Sequence, residues 1–231
     1  MARPFGSQRQ TARELVADFL RRLIITGELK PGERVNVNEI SDALNVSQTP
    51  TREAFHLLSS EGLLRQDPYR GVRVTELSPE IYEEIFLQRV ELEALAARLG
   101  SERIDESGIE EMESQLAAMQ DGYEAGDIEA FLEHDREFHR VHYLASGRET
   151  LWERIISLRF AAERYTRAAY LLPRGGMADT LASHRLLVET ARSHEGERAA
   201  EILRADLRRT FESFVSSRLS EASPAGTSTN G

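Results

Sequence analysis

Four side chains in the second half of the chain are of the types that bind a divalent metal ion. Asp135 and His139 are four residues apart, so on a helix they lie on the same face, one turn from each other. His184 and Asp206 come later in the chain, each on a further predicted helix. Two carboxylates and two imidazoles form a suitable ligand set for Zn²⁺, Ni²⁺ or Mn²⁺. The alternative is that they are solvated or hydrogen-bonded residues, because Asp-x-x-x-His is a short pattern.

Two further residues are candidates for the same site. His142 follows His139 by three residues, and it either supplies another imidazole, lines a pocket or is a packing residue. Arg89 has apolar neighbours at Ile85 and Leu92 on its predicted helix, where a guanidinium needs an anionic partner. That partner is either a carboxylate of a bound ligand or an acidic side chain of the chain itself.

A second group of polar residues, near the N-terminus, is of the types that contact nucleic acid. Gln48, Thr49 and Arg52 begin a predicted helix on the side opposite its apolar residues. Amide, hydroxyl and guanidinium groups at a helix N-terminus suit base edges and phosphates. Arg70 and Gly71 lie in the turn of a predicted hairpin, from which they could reach an adjacent groove. The alternative is a small domain whose surface residues have no such role.

Two kinds of element must position these residues. Up to about residue 77, apolar residues at helical spacing predict three amphipathic helices, and alternating residues then predict a β-hairpin. After the linker at 77–79 the spacing is helical throughout, which predicts an all-α bundle over residues 79–219. Residues 221–231 are rich in Ser, Gly and Thr, so we expect a disordered tail. The helices of the bundle are predicted near 80–100, 106–122, 127–146, 149–171, 178–193 and 196–219.

The charge of the chain is unevenly distributed. Its 231 residues contain 29 Lys and Arg and 39 Asp and Glu, a net charge of −10. Residues 1–78 hold eleven basic and ten acidic residues, net +1, and the remainder holds 18 and 29, net −11. Such asymmetry suggests that the two parts have different partners. The absence of cysteine excludes disulfides and thiolate sites, and no apolar run approaches 18 residues, so we expect a cytoplasmic protein without a membrane span.

Four collinear segments near the N-terminus resemble the signature of GntR-family regulators. They are residues 25–35 (ITGELKPGERV), 44–55 (LNVSQTPTREAF), 58–64 (LSSEGLL) and 70–74 (RGVRV). The resemblance implies a winged helix-turn-helix domain over residues 10–77 that binds a two-fold DNA operator as a homodimer. By position, it implies DNA contacts at Asn38, Gln48, Thr49, Arg52, Arg70 and Gly71.

Two of these positions differ from the common family pattern, which has Arg where this chain has Asn38 and Gln48. Arg pairs bidentately with guanine, whereas Gln suits the N6 and N7 atoms of adenine. We therefore expect the operator to differ from the family norm at the base that Gln48 faces.

The bundle carries a second resemblance. Residues 131–139 (FLEHDREFH), 145–147 (ASG), 183–185 (SHR) and 203–207 (LRADL) are similar to the FCD domain, the effector domain of the FadR subfamily of GntR regulators. The resemblance implies metal ligands at Asp135, His139 and His184, with Asp206 in place of a third histidine. It also implies that Arg89 faces the effector cavity and meets a ligand carboxylate.

Together these features favour a ligand-responsive transcriptional regulator, with a repressor as the first expectation and a small organic acid bridging a metal ion and Arg89. No catalytic activity is required for this role. The competing interpretation is a metal-dependent hydrolase on the helical bundle, since such a ligand set can activate water. Against a hydrolase, no separate general base or set of oxyanion donors is evident.

Overall fold

The computed structural model describes residues 11–67, 71–172 and 176–222, with side chains up to residue 217. The chain divides into two compact units, Met1–Glu76 and Leu77–Gly231. Within the described residues the first unit combines three helices with a small sheet, and the second contains only helices. The predicted fold class, a winged helix-turn-helix followed by an all-α bundle, is therefore confirmed.

Strong local signals set the helices of the first unit. Thr11 and Glu14 form a reciprocal capping box at the start of the first helix, and Gly27 ends it with a φ of 81°, a left-handed conformation that suits glycine. The elements in chain order are α1 (Ala12–Thr26), β1 (Arg34–Val35), α2 (Val37–Leu44), α3 (Gln48–Ser60), β2 (Leu64–Asp67) and β3 (Gly71–Val74).

The sheet of the first unit is antiparallel and has one strand more than the sequence predicts. Its order is β1-β3-β2, so the hairpin β2–β3 gains β1 on its open edge. The two residues of β1 are too few to show an alternating pattern, which is why it was missed. Val35, Leu64 and Val74 are buried against α1 and α3, and they fix which face of the sheet is outward.

The second unit consists of long helices whose bounds lie close to the predicted ones. Its last helix continues to Ala222, so the first two residues of the predicted disordered tail are helical, and residues 223–231 lie outside the described part. The helices are α4 (Pro79–Ser101), α5 (Glu106–Ala125), α6 (Ile128–Leu144), α7 (Glu149–Tyr170), α8 (Met177–Arg192) and α9 (Gly196–Ala222). None of the helices so described is long and apolar enough to cross a membrane.

The bundle buries polar side chains at its centre as well as apolar ones. Near the start of α4, Tyr82 stacks on Tyr165 of α7, with 4.4 Å between ring centroids, and the edge of Phe214 packs against both rings. Near its end, Gly100 lets α4 approach the backbone of α6 closely. Between these two contacts the faces of α4, α6, α7 and α8 carry buried charged and polar groups. These helices position the site described next.

Candidate functional site

Three of the four predicted metal ligands meet inside the helical unit. Asp135 and His139 lie one turn apart on α6, and His184 lies in the middle of α8. Each side chain offers one ligand atom, and these atoms all lie within 4.8 Å of one another. All three side chains are buried, so the group is shielded from bulk water. Asp135 Oδ1 is 3.1 Å from His184 Nε2 and 3.7 Å from His139 Nε2.

The hydrogen bonding of the two histidines leaves buried nitrogens without partners. His184 Nδ1 donates to the carbonyl oxygen of Thr180 at 2.8 Å, so in the neutral ring Nε2 carries a lone pair. That lone pair faces the Asp135 carboxylate, an arrangement that requires a proton or a metal ion between the two atoms. His184 Nε2 and His139 Nδ1 make no hydrogen bond with the described residues. Ligands of one metal ion lie about 3 to 4 Å apart when each bond is about 2.1 Å, and the 3.1 and 3.7 Å distances from Asp135 Oδ1 to the two Nε2 atoms fall in that range.

Arg159, on α7, holds the second oxygen of Asp135. Its Nη2 donates to Asp135 Oδ2 at 2.5 Å, which leaves Oδ1 directed at the histidines. Burial alone would raise the pKa of the Asp135 carboxyl, but Arg159, His139 and His184 together lower that pKa well below its usual range. Burial, followed by the charge of Arg159, lowers the pKa of His139. The site therefore has an ionised carboxylate and a neutral His139, the protonation states that metal binding requires.

A buried chain of charges continues from Arg159 to α4. Glu93 is fully buried and accepts a hydrogen bond from Arg159 Nη1 at 2.8 Å and another from Arg89 Nε at 2.6 Å. The hydroxyl of Tyr143 donates to the same carboxylate at 2.9 Å. The two arginines outweigh the effect of burial and lower the pKa of Glu93. The ring of Trp152 packs near Tyr143, with 6.4 Å between centroids.

Arg89 therefore has the internal acidic partner that was one of its two predicted alternatives, and it also borders a cavity. Only Nε is engaged by Glu93, while the two terminal nitrogens donate no hydrogen bond to any described residue. The cavity has a volume of about 40 Å³, room for about three water molecules. The charged residues and candidate metal ligands that line this cavity include Arg89, Asp135, His139, Arg159, Glu163 and Asp206.

The fourth predicted metal ligand, Asp206, lies on the cavity wall outside the group of three. Its carboxylate is bound by Arg209, one turn further along α9, and Arg209 Nη2 also donates to Ser183 Oγ at 3.1 Å. Burial raises the pKa of Asp206, in spite of the nearby His184 and Arg209. Arg209 therefore links Asp206 on α9 to Ser183 on α8, and in this arrangement the Asp206 carboxylate lies outside the group of three.

His142 is the one predicted effector contact that does not line the cavity. Its Nε2 is 2.8 Å from Ser101 Oγ, and its ring is fully buried between α6 and the end of α4. The close approach at Gly100 explains this position, because α4 covers the side of α6 on which His142 lies. Burial lowers the pKa of His142 to about 4, so the ring is neutral and acts as a packing residue.

Sequence reasoning identified neither Glu163, which lines the cavity, nor Glu93, which lies between Arg89 and Arg159. Glu163 is buried on α7 and pairs with Arg136 at 2.7 Å, and its burial raises its pKa. Residues 159 and 163 are four apart, which places both on one face of α7. That spacing was a usable signal, whereas the partners on α4 and α6 are far away in sequence.

The predicted DNA contacts of the first unit lie together at its surface. Asn38, Gln48, Thr49 and Arg52 are all exposed, with Gln48 as the first residue of α3. Gln48 Nε2 donates to Asn38 Oδ1 at 2.9 Å, so the two amides form one surface. Gly71, with a φ of 77°, begins β3, and Arg70 lies outside the described residues.

Comparison with known proteins bears on both units. Residues 11–74 match the family model "Bacterial regulatory proteins, gntR family", and residues 84–209 match the FCD domain. A Streptomyces ambofaciens protein, described as an uncharacterized HTH-type transcriptional regulator in an unstable DNA locus, is 30% identical over 195 residues, 84% of this chain and 80% of that one. The HTH-type transcriptional repressor RspR of Escherichia coli is 28% identical over 155 residues, 67% of this chain and 68% of that one.

Among solved structures, E. coli McbR/YncC superposes with a TM-score of 0.80 at 24% identity, covering 90% of this chain and 99% of that one. At this identity the likeness concerns the fold, which the two proteins share over both units. The family matches identify a DNA-binding transcriptional regulator rather than the hydrolase considered as the alternative. The chain belongs to the GntR family of bacterial regulatory proteins, and its helical unit is an FCD domain.

Proposed function

We propose that this regulator is a homodimeric repressor that responds to a small carboxylate bound in the helical unit together with a divalent metal ion. One observation carries the proposal. Asp135 and His139 of the metal-ligand group line the same cavity as Arg89, whose terminal nitrogens lack partners among the described residues. A metal cation and a guanidinium that line the same cavity form a binding site for an anion, and one carboxylate can contact both of them.

Asp135, His139 and His184 would hold the metal ion, and a bound ion would supply a Lewis-acidic site for a carboxylate oxygen. Three protein ligands leave further coordination positions open, as in metal sites that bind exogenous ligands. Zn²⁺, Ni²⁺ and Mn²⁺ all accept imidazole and carboxylate donors. The volume of about 40 Å³ favours a short carboxylate.

Asn38, Gln48, Thr49 and Arg52 would contact double-stranded operator DNA, with Arg70 and Gly71 at the adjacent hairpin turn. The exposure of the first four and the N-terminal position of Gln48 on α3 support this assignment. A two-fold operator then requires two copies of the chain. The effector acts by binding two dimer geometries unequally, which is the thermodynamic condition for changing DNA affinity. Operator binding would take place in the cytoplasm.

Metal and carboxylate binding can be tested separately. The protein is stripped with chelator and reloaded with Zn²⁺, Ni²⁺ or Mn²⁺, and the metal content is measured; acetate and lactate are then titrated by calorimetry. We expect Asp135→Asn to lose metal binding and Arg89→Ala to retain metal but lose carboxylate binding.

The matched control is Arg154→Ala, an exposed arginine on α7. It should bind metal and carboxylate as the unmodified protein does. Undiminished carboxylate binding in both Asp135→Asn and Arg89→Ala would reject the proposed site.

A further inference from the structure

The sheet of the first unit carries three arginines in a single cross-strand row. Arg34 on β1 pairs with Arg73 on β3, and Arg73 pairs with Arg65 on β2. Directly opposite residues of antiparallel strands have Cβ atoms about 5 Å apart and lie on the same face. One basic residue from every strand of this sheet therefore stands in line.

The burial pattern shows which face of the sheet carries this row. Val35, next to Arg34, is buried, as are Leu64, next to Arg65, and Val74, next to Arg73. Successive residues of a strand point to opposite faces, so the three arginines lie on the outward face.

The positive charges of this row are poorly neutralised within the described residues. Arg34 forms no hydrogen bond or ion pair with them. Arg73 Nη1 donates to the neutral carbonyl oxygen of Gly32 at 2.8 Å. Arg65 has one carboxylate partner, Glu76, at 3.7 Å, and both side chains are more than half exposed, so that pair is weak. Like charges directly opposite each other destabilise a sheet, which indicates that an external anion balances the row.

The row lies beside Gly71, one of the proposed DNA contacts. A Cβ atom added at Gly71 would lie 3.6 Å from Arg34 Nε, so the side chain of Arg34 extends to the end of β3. The row crosses three strands, about 10 Å in all. Over that length a DNA duplex carries about six negative charges.

We propose that Arg34, Arg65 and Arg73 form a phosphate-contact surface that extends DNA binding from the hairpin turn across the outward face of the sheet. The partner is the backbone of the same duplex that α3 reads, and the contact is independent of base sequence. The inference rests on the DNA-binding role of the unit. It adds residues that neither the helix-turn-helix nor the hairpin turn accounts for.

The salt dependence of binding tests this proposal. The unmodified protein first selects a duplex from a random-sequence pool, and the affinity for that duplex is measured from 50 to 200 mM salt. Each phosphate contact that is lost reduces the slope of log K against log salt concentration by about 0.9. We expect Arg34→Ala and Arg65→Ala each to make this slope less steep by about 0.9, and the double variant to make it less steep by about twice as much. The base preference should not change in any of the three variants. Arg34→Lys should retain the slope, because the charge remains.

Arg22→Ala is the matched control. Arg22 lies on α1, is similarly exposed, and forms a comparable 3.7 Å ion pair with Glu28; its removal should leave the slope unchanged. The phosphate-contact surface would be overturned if the double variant kept the slope of the unmodified protein. It would also be overturned if Arg34→Lys reduced the slope as much as Arg34→Ala does. Failure of the unmodified protein to select any duplex would instead contradict the operator binding on which the inference rests.

Discussion

The amide of Gln48 donates to the amide oxygen of Asn38, with 2.9 Å between Nε2 and Oδ1. This bond joins the first residue of α3 to α2 and uses one of the two N–H groups of Gln48. The oxygen and the second N–H remain, one acceptor and one donor, which is the pair that N6 and N7 of adenine require. The bond therefore orients the amide of Gln48, and the proposed base contact would use the remaining oxygen and N–H.

Replacing Gln48 with Arg should change base preference from adenine to guanine at the facing position. A bidentate contact discriminates by about 1–3 kcal/mol, so the preference should shift by roughly one order of magnitude or more. Binding to a set of base-substituted duplexes measures the shift. Asn38→Ala, which removes the partner amide, should weaken binding but keep the adenine preference. Identical preferences in Gln48→Arg and the unmodified protein would contradict the assignment.

Glu93→Gln should destabilise the helical unit strongly. The carboxylate is fully buried between Arg89 and Arg159, and its loss leaves the buried guanidinium of Arg89 without a counter-charge and Arg159 with Asp135 alone. Breaking a buried pair in this way costs about 3–5 kcal/mol in the free energy of unfolding. Urea unfolding followed by circular dichroism measures the change.

The control for Glu93→Gln is Glu91→Gln, an exposed glutamate on the same helix. Its effect should remain within about 0.5 kcal/mol. Equal stability of the two variants would show that the buried network does not depend on the charge of Glu93.

Stability should fall as the pH is lowered from about 6.5 towards 4. Burial lowers the pKa of His142 to about 4 from an ordinary value of 6.5, so over this range the unfolded chain binds more protons than the folded one. Stability is then complete above the unfolded pKa and decreases as the pH falls, by about 3 kcal/mol over the whole interval. Unfolding in metal-free buffer at several pH values measures the slope, which should be smaller in His142→Gln.

A suitable control for the pH measurement is His56→Gln, an exposed histidine of the other unit. It should leave the pH slope of the helical unit unchanged. An equally steep slope in His142→Gln would assign the effect to other groups, such as His139, whose pKa is also lowered by burial.

Gly100→Ala should destabilise the contact between α4 and α6. The added Cβ would lie 2.1 Å from the carbonyl oxygen of His142, a backbone atom that cannot rotate away. Overpacking costs about 1–3 kcal/mol in general, and we expect the upper end here. Thermal unfolding measures the change, with Gly176→Ala as control, because the nearest atom of the described residues there, Arg209 Nε, is 4.0 Å away. A melting temperature equal to that of the control would show that α4 and α6 can move apart without a loss in the free energy of unfolding.

The fold and part of the site could be predicted because their signals are local. Helical spacing predicted the long helices, and the four-residue interval predicted that Asp135 and His139 share a face. The strand β1 was missed because two residues show no pattern. Likewise, the link from Asp135 through Arg159 to Glu93 spans three helices and has no local signature.

Asp206 and His142 show a second limit of prediction. Arg209 follows Asp206 by three residues, a spacing at which opposite charges pair on a helix, and in this structure the Asp206 carboxylate is bound by this local partner. His142 lies on the same side of α6 as the candidate metal ligands Asp135 and His139, but α4 packs against His142 and separates it from the cavity. Sequence spacing predicts which residues share a face, and packing decides which of them reach a cavity.

The position of Trp152 gives the molecule an intrinsic optical reporter. It is the only tryptophan in the chain, so indole fluorescence comes from the helical unit alone. Its ring packs near Tyr143, whose hydroxyl is bonded to Glu93. Emission should therefore respond when the charges around Glu93 rearrange, and titrations of the helical unit can be followed without attaching a dye.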